Sequence, residues 1–179
     1  MSVMGIDPSL ASTGIVMLSP NGDYESNAIQ PTERGMERLT EIREAVWDAA
    51  DAWFDFPQLV AIEGYAFGAR GAAMFSLGEL GGVLRWSLHS WHIPYIDVPP
   101  SRVKKFATGK GNSKKDEIML AVYKRWGVEF HTSDEADAYV LARIALALTE
   151  GDRNLTEFQR EVVKTLRSKE PERFKEMVK

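Results

Sequence analysis

The alternation of apolar and polar positions over the first thirty residues predicts three short strands. Largely apolar runs at 3–7 and 13–18 flank a turn of small polar residues, and a candidate third strand at 24–29 follows Asn21-Gly22. An Asn-Gly pair between such runs is a strong signal for a tight hairpin turn. We therefore expect these three strands to form an antiparallel meander.

After the meander, segments with helical spacing of apolar positions alternate with short apolar runs. The pattern predicts strands at 59–63 and 93–98 and helices at 33–54, 68–91, 101–106, 114–126 and 133–148. Met36 is one of the apolar positions at helical spacing in the first helix, and Met74 lies on the apolar side of the second. Helices that follow single strands imply right-handed crossovers onto parallel strands. The expected fold class is α/β, with a mixed five-stranded sheet (three antiparallel strands, then parallel strands) flanked by helices.

The last thirty residues differ in character from the rest of the chain. Residues 151–179 begin with a glycine and carry eight basic and six acidic residues. We expect a domain over 1–150 and a C-terminal helical extension over 151–179, broken near Pro171.

The composition is that of an ordinary globular protein and excludes several classes. The chain has 179 residues, of which 44% are hydrophobic and 27% charged, and it has no cysteine. A disulfide framework and thiolate chemistry are therefore excluded. No apolar run approaches the ~18–20 residues of a membrane span, and the N-terminus lacks the pattern of a secretory signal. We expect no membrane association and a cytoplasmic location.

The net charge of −4 conceals an uneven distribution of basic residues. Residues 101–125 contain eight basic residues and two acids, so this segment carries +6 and the remainder −10. The basic residues are Arg102, Lys104, Lys105, Lys110, Lys114, Lys115, Lys124 and Arg125. Such clustering is typical of a surface that binds phosphate. A solvated helix face with its loop is the alternative interpretation.

Four acidic residues occupy positions that packing alone does not explain. Asp7 and Glu63 end predicted strands, and Asp134 and Asp137 lie three residues apart on one helix face. Taken singly, each has an ordinary explanation as a turn residue, an exposed strand end or a charge at a helix N-terminus. Together they indicate one pocket, because strand ends in an α/β sheet open onto the crevice where ligands bind.

The chemistry of these four acids is that of a divalent-metal site. Carboxylates brought together repel one another unless a cation neutralises them, and hard oxygen ligands suit Mg²⁺ or Mn²⁺. Two such ions ~3.5–4 Å apart can assist in-line displacement at a phosphodiester. If the strands of Asp7 and Glu63 are neighbours, we expect Asp7 to be a metal ligand. We expect the small residues after it to leave room for a substrate; they are Ser9, Ala11, Ser12 and Gly14.

Four segments, in the correct order, resemble the motifs of the RuvC family of Holliday junction resolvases, within the RNase H-like nuclease superfamily, and in particular its phage-type members. They are GIDPSLASTG with Asp7, AIEGYAFG with Glu63, VKKFATGKGNSKKDEI with Lys104 and Lys115, and SDEADAYVLA with Asp134 and Asp137. The resemblance runs through residues 1–150 and implies an RNase H-like nuclease domain there.

The resemblance implies metal-dependent hydrolysis of phosphodiesters in four-way DNA junctions, with water as nucleophile and 5′-phosphate and 3′-hydroxyl ends as products. The four acids would hold two Mg²⁺ or Mn²⁺ ions. Lys115 would lie near the scissile phosphate and Lys104 would hold backbone phosphate. Further candidates for backbone contacts are Arg70, Arg102, Lys110 and Lys114.

The resemblance also implies a homodimer, which suits a twofold junction. The implied location is the cytoplasm of a bacterium or of a phage-infected host cell. The helix at 71–91 is a candidate interface, because its glycines permit close approach. They are Gly71, Gly78, Gly81 and Gly82. Packing within one subunit is the alternative role for these glycines.

The segment after the second-motif glutamate departs from the bacterial members of the family. Those members usually have Gln next, followed by an aromatic residue that stacks at the junction centre, whereas Gly64, Tyr65, Ala66 and Phe67 follow here. Tyr65 and Phe67 are both candidates for stacking on an unpaired base, an interaction worth ~1–3 kcal/mol per base. A core role is the alternative for each, and a preference for particular bases does not carry over.

Other functions fit parts of the pattern. Actin-like and sugar-kinase ATPases share this kind of sheet and a similar Asp-containing turn, but they need further phosphate and adenosine loops, usually in a duplicated domain that exceeds this length. A branched-DNA-binding protein that does not cut would have no need of all four acids. Related nucleases cut forks, flaps or RNA–DNA hybrids with the same chemistry, and the sequence does not separate these substrates.

Overall fold

A five-stranded sheet with helices on both faces forms the structure. The computed structural model describes residues 1–53, 55–65, 72–151 and 154–169. In chain order the elements are β1 (Ser2–Asp7), β2 (Thr13–Leu18), β3 (Tyr24–Ile29), α1 (Gly35–Ala52), β4 (Pro57–Glu63), α2 (Ala72–Ser90), β5 (Tyr95–Val98), α3 (Pro100–Thr108), α4 (Lys115–Trp126), α5 (Ser133–Glu150) and α6 (Glu157–Lys169). The predicted order of strands and helices is confirmed.

The strand order across the sheet is β3-β2-β1-β4-β5. β1, β2 and β3 pair antiparallel, whereas β4 pairs parallel with both β1 and β5. The predicted mixed sheet and its antiparallel meander are therefore confirmed. Because β1 and β4 are parallel neighbours, the residues that end them lie at the same edge of the sheet.

The sheet separates two hydrophobic cores, one on each of its faces. Met4 and Ile6 of β1 pack on one face with apolar residues of α1 and α2. Val3 of the same strand packs on the other face with α3, α4, α5 and α6. This alternation follows from the period of two along a strand and gives a three-layer arrangement.

Helix α5 lies directly against the sheet because two strand glycines have no side chain. A Cβ at Gly5 of β1 would stand 2.0 Å from the Ala138 carbonyl oxygen and 2.4 Å from the Ala142 nitrogen. A Cβ at Gly14 of β2 would stand 2.1 Å from the Asp134 carbonyl oxygen. The helix is buried on nearly every side from Ala136 onward, so it forms the centre of its core rather than a surface element.

Two apolar residues near the starts of their helices are not buried. The side chains of Met36 and Met74 are 65% and 49% exposed. Each lies in the first turn of its helix, before the first buried side chain that the structure describes there, Leu39 in α1 and Leu80 in α2. Helical periodicity identifies an apolar face, but it does not show where that face meets the sheet.

Helix α6, within the predicted extension, contributes to the second core. Its residues Val162, Val163 and Leu166 are buried with apolar residues of α3 and α5. The Gln159 amide donates to the Phe106 carbonyl at 3.2 Å. The domain boundary at 150 stays a prediction, and the predicted break at 171 lies outside the described residues. Among the helices that the structure describes, none is sufficiently long and apolar to cross a membrane.

Candidate active site

Asp7 and Glu63 lie side by side where β1 and β4 end. Ile6 pairs in register with Ile62, so the acids that follow them are neighbours. Asp7 is only 8% exposed. The two carboxyl groups lie close enough for each to affect the pKa of the other. The two strands are neighbours, which is the condition that the expected role of Asp7 requires.

The beginning of α5 brings two further acids to this edge. Thr132 caps the helix: its hydroxyl accepts from the Glu135 amide at 3.2 Å, and the Glu135 carboxylate accepts from the Thr132 amide at 3.2 Å. Asp134 and Asp137 therefore lie in the first turns of α5. Because Gly14 lets the Asp134 backbone approach β2, both acids come close enough to Asp7 to affect its titration.

Burial and mutual repulsion raise the pKa of three of the four acids. The pKa of Asp7 is well above its ordinary value, first because of burial and then because of the charges of Glu63, Asp137 and Asp134. Burial, followed by the charge of Asp137, raises the pKa of Glu63 to about 7. Burial also raises the pKa of Asp137 to about 6, although Lys115 opposes this. Acids from three separate elements thus share one electrostatic environment.

The donor set fits a hard divalent cation. Oδ1 of Asp137 is buried and has no hydrogen-bond partner among the described residues. A buried carboxylate oxygen without a partner is costly, and a cation is the kind of partner that relieves both this cost and the repulsion among the acids. In the side-chain positions seen for the described residues, no three His, Cys, Asp or Glu side chains form a ready metal-coordinating group. Cation binding therefore requires these carboxylates to move closer together.

Two lysines from the basic segment face the acids. Lys115 Nζ lies 3.2 Å from Asp134 Oδ1 and 3.0 Å from Ser133 Oγ. Partial burial acts to lower the pKa of Lys115, but the hydrogen bond and charge of Asp134 outweigh it, so the pKa is raised. Lys104 lowers the pKa of Glu63, which places its charge within electrostatic reach of the same site. The structure therefore brings both lysines to the acids.

The other predicted phosphate-binding residues are less closely associated with the acids. Lys110 and Lys114 are exposed around the start of α4. Arg102, however, has its side chain 30% exposed and a guanidinium nitrogen 3.7 Å from Glu161 Oε1 of α6. Its charge is partly compensated within the protein. Arg70 lies outside the described residues.

Tyr65 stands at the rim of a small cavity beside Glu63. Its side chain is 48% exposed, and its ring lies 4.4 Å from the Arg85 guanidinium carbon. The cavity has a volume of about 100 Å³ and is lined by Pro8, Glu63, Gly64, Tyr65, Met74, Leu77, Gly81 and Arg85. Tyr65 is therefore a partly exposed aromatic at the site and not a core residue. Phe67, the other aromatic candidate, lies outside the described residues.

The small residues after Asp7 do not all make room for a substrate. Ser9 and Thr13 close the turn, because the Ser9 amide donates to Thr13 Oγ1 at 3.1 Å and that hydroxyl donates to the Ser9 carbonyl at 2.6 Å. The prediction for Gly14 is wrong, because the space at this glycine is filled by the backbone of α5. Gly14 thus shapes the site by admitting the helix that carries two of the acids.

The sequence interpretation missed an ion pair beneath the site. Arg85 of α2 donates from Nε to Asp97 Oδ1 of β5 at 2.8 Å and from Nη2 to the Glu63 carbonyl at 3.2 Å. A signal was present, because Arg85 is a charged residue in a largely apolar helix and Asp97 interrupts a short apolar strand. The spacing of two such residues along the chain does not reveal that they meet.

Comparison with known proteins identifies the same family along most of the chain. A family model described as "Crossover junction endodeoxyribonuclease RuvC" matches residues 3–150. The chain is 30% identical over 150 residues to that nuclease from Synechococcus sp. (strain WH7803), a match covering 79% of this chain and 96% of the relative. It is 28% identical over 162 residues to the one from Salinibacter ruber, covering 86% and 87% respectively. These relatives are bacterial; the expected phage type stays a prediction.

Two solved structures resemble the fold. Thermus thermophilus RuvC superposes with a TM-score of 0.64 at 25% identity, covering 79% of this chain and 91% of that chain. T. thermophilus RuvC in complex with Holliday junction substrate superposes with a TM-score of 0.65 at 25% identity, covering 79% and 90%. The RNase H-like fold class expected from the sequence is confirmed.

Proposed function

This chain belongs to the RuvC family of crossover junction endodeoxyribonucleases, and we propose that it resolves Holliday junctions by hydrolysing phosphodiesters with the help of two divalent cations. The products would carry 5′-phosphate and 3′-hydroxyl ends. The solved complex of a relative with a Holliday junction supports this substrate.

One observation carries the proposal: the carboxyl groups of Asp7, Glu63, Asp134 and Asp137 lie at one sheet edge, where the charges of the other three raise the pKa of Asp7. They come from β1, β4 and α5, and repulsion among them contributes to the raised pKa values of Asp7, Glu63 and Asp137. An arrangement of this kind is unfavourable for folding alone. It is favourable where cations are bound, so the acids are the proposed ligands.

Each residue of the site has a proposed part in the reaction. When held by the four acids, Mg²⁺ or Mn²⁺ ions would activate water and stabilise negative charge on the phosphate. Lys115, beside Asp134 and 65% exposed, can turn from the acid toward a phosphate and offset charge that develops there. Lys104 would hold a neighbouring phosphate of the backbone.

The DNA would cross the face that carries the lysines. Lys110 and Lys114 are exposed and are proposed to contact the phosphate backbone; Arg102 and Arg70 remain candidates for the same role. Tyr65 is proposed to stack on an unpaired base near the cleavage point, since about half of its side-chain surface is accessible. Phe67 remains a candidate for the same stacking role.

A homodimer formed through α2 is the proposed assembly. Phe75 and Trp86 are 70% and 65% exposed, and they share a helix face with Gly78 and Gly82, at which an added Cβ would meet nothing within 4 Å. An exposed apolar stripe with two glycines allows a second helix to approach closely. Gly81 packs within the subunit instead, and Gly71 lies outside the described residues. Such a dimer would present one site to each of two junction strands.

The proposal is tested by cleavage of a synthetic four-way junction, a three-way junction and a linear duplex at one salt concentration, because salt alone changes affinity for phosphate. We expect Mg²⁺- or Mn²⁺-dependent cutting of the four-way junction, new ends that carry 5′-phosphate, and loss of cutting with chelator. Equal cutting of linear duplex would contradict junction selectivity. Junction binding without cutting in either metal would favour the non-cleaving alternative, and stabilisation by ATP would favour the ATPase alternative.

We propose that the reaction takes place in the cytoplasm of a bacterium or of a phage-infected cell, where such DNA is found.

A further inference from the structure

The guanidinium of Arg85 is largely buried beside the site and has no part in the reaction described above. Its side chain is 12% exposed. Nε donates to Asp97 Oδ1 at 2.8 Å, Nη1 donates to the Gly81 carbonyl at 2.9 Å, and Nη2 also bonds Asp97 Oδ1. A buried charge is costly unless it is paired and its donors are bound. These contacts therefore hold the guanidinium in one orientation.

The same guanidinium contacts the end of β4. Nη2 donates to the Glu63 carbonyl at 3.2 Å, and the guanidinium carbon lies 4.4 Å from the centre of the Tyr65 ring. Between these two residues, the Gly64 amide donates to the Val98 carbonyl of β5 at 2.8 Å. This three-residue segment is thus fixed to α2 on one side and to β5 on the other.

Gly81 makes this packing sterically possible. A Cβ at this position would stand 2.6 Å from Arg85 Nη1 and 2.7 Å from Tyr65 Cε1, closer than side-chain carbons approach such atoms. The tyrosine ring and the guanidinium therefore pack directly on the backbone of α2. This steric observation is independent of the hydrogen bonds and indicates the same arrangement.

We propose that Arg85 is a positioning residue of the active site, which fixes the backbone that carries Glu63 and the ring of Tyr65, and that Asp97 holds Arg85 in place. The planar guanidinium can donate to three acceptors at once, whereas a lysine ammonium keeps the charge but loses this geometry. The inference rests on the proposed function only for the roles of the two positioned side chains, metal binding by Glu63 and base stacking by Tyr65. Their positions are a property of the folded chain.

The experiment compares Arg85→Lys with Arg43→Lys. Arg43 of α1 is half-buried; it donates to Ser87 Oγ at 3.2 Å and lies 5.0 Å from the centre of the Trp91 ring, two residues with no part in the site. The same substitution is thus made in a similar environment. Four quantities are measured: Mn²⁺ affinity without DNA by electron paramagnetic resonance, amide hydrogen exchange at Gly64, junction affinity, and the single-turnover cleavage rate.

We expect Arg85→Lys to weaken Mn²⁺ binding and to slow cleavage by about 10–100-fold each, the usual effect of losing a group that orients a metal ligand. Exchange at Gly64 should become faster, and junction affinity should fall by less than the cleavage rate, because the phosphate contacts are unchanged and only the stacking of Tyr65 is affected. Arg43→Lys should leave Mn²⁺ affinity and Gly64 exchange at their wild-type values. A merely structural role for Arg85 would lower stability without changing Mn²⁺ affinity in the folded protein.

Asp97→Asn is the second variant and keeps an oxygen acceptor while removing the charge. Asp97→Asn should weaken Mn²⁺ binding and slow cleavage by smaller factors than Arg85→Lys does. It also provides the test if Arg85→Lys does not fold. Wild-type Mn²⁺ affinity and Gly64 exchange in the folded variants would overturn the inference. A wild-type protein that binds Mn²⁺ but cuts no junction would contradict the proposed function instead, and the metal and exchange measurements would still decide the role of Arg85.

Discussion

Asp7 and Glu63 end adjacent parallel strands, and each carboxyl group affects the pKa of the other. Two acids in such a position cannot both ionise without a penalty, because Asp7 is buried and each repels the other. The pair therefore opposes folding at neutral pH unless a cation is bound. The behaviour of this pair provides the most direct tests of the site.

Replacement of Asp7 by asparagine should abolish cleavage and preserve DNA binding. Asp7→Asn removes a proposed metal ligand without adding bulk, so we expect the single-turnover rate on a four-way junction to fall by more than roughly 10³-fold, about 4 kcal/mol of the barrier. Electrophoretic mobility should show junction affinity retained, since no basic residue changes. Asp51→Asn, at an exposed acid near the end of α1, is the control. Unchanged cleavage would remove Asp7 from the mechanism.

Glu63→Gln should stabilise the protein at high pH when chelator is present. The pKa of Glu63 is raised from 4.5 to about 7, so its stabilising contribution is complete below pH 4.5 and is lost as the pH rises through 7. The glutamine variant avoids this loss. We expect its free energy of unfolding to exceed that of the wild type by an amount on the order of 1–3 kcal/mol at pH 8, and by little at pH 4.5.

Denaturant titrations between pH 4.5 and 8 measure this difference. Glu44→Gln, at an exposed acid of α1, reports the effect of the substitution itself. Added Mn²⁺ should reverse the order at pH 8, because the cation stabilises the wild type through the ionised acid. Parallel pH profiles for wild type and Glu63→Gln would argue against a strained acid at this position.

Lys115→Met should slow cleavage with little effect on junction affinity. Lys115 lies 3.2 Å from Asp134, at the acids rather than along an extended DNA surface, so its loss removes charge stabilisation near the reacting phosphate. We expect a decrease of about 10²-fold in the single-turnover rate. Lys124→Met, at an exposed lysine in the last turn of the same helix, should cleave normally. A loss confined to affinity would assign Lys115 to DNA binding alone.

Gly5→Ala should destabilise the fold. Its Cβ would stand 2.0 Å from the carbonyl oxygen of Ala138, a backbone atom that cannot move aside, so α5 would have to shift from the sheet. We expect a loss of about 1–3 kcal/mol in the free energy of unfolding, measured with chelator. In the monomer made by Trp86→Arg, Gly78→Ala, where an added Cβ meets nothing within the subunit, should instead be neutral or stabilising by up to about 1 kcal/mol. Equal changes in the free energy of unfolding for Gly5→Ala and Gly78→Ala would contradict the close approach of α5 to β1.

Trp86→Arg should convert the proposed dimer to monomer. Trp86 is 65% exposed on the apolar stripe of α2, and a charge there would be buried against its own copy. Sedimentation velocity of the folded variant should show the monomer mass. Tyr123→Arg, at a 51% exposed aromatic of α4, should leave the mass unchanged. A wild-type protein that is already monomeric would exclude the α2 interface.

The sequence predicted the order of the elements and the positions of Asp7 and Glu63 at strand ends, because these depend on short-range patterns. Strand runs, helical spacing and the Asn21-Gly22 turn are local signals, and strand ends in a parallel arrangement converge by geometry. The roles of Gly5 and Arg85 were not predictable in this way. The role of Gly5 depends on how closely α5 approaches β1, and the role of Arg85 depends on which side chain of α2 faces β5. Both relationships exist only after the helices have packed on the sheet.

The position of Met36 also shows that a local sequence pattern does not establish which residues pack against the sheet. Its spacing relative to Leu39 and Ile42 fits an apolar helix face, yet the helix begins before it reaches the sheet. Periodicity describes a face along its whole length, whereas burial depends on the extent of the neighbouring layer. The spacing of apolar residues therefore does not determine which of them are buried at the end of a helix.

The central location of α5 has a consequence for how the enzyme loses activity. This helix carries two of the four acids and is buried between the sheet and the remaining helices of its layer. Its amides should therefore exchange only through cooperative unfolding of the whole domain. Heat or denaturant would then inactivate the site and melt the molecule in a single transition, so no partly unfolded form with a loosened catalytic helix would accumulate.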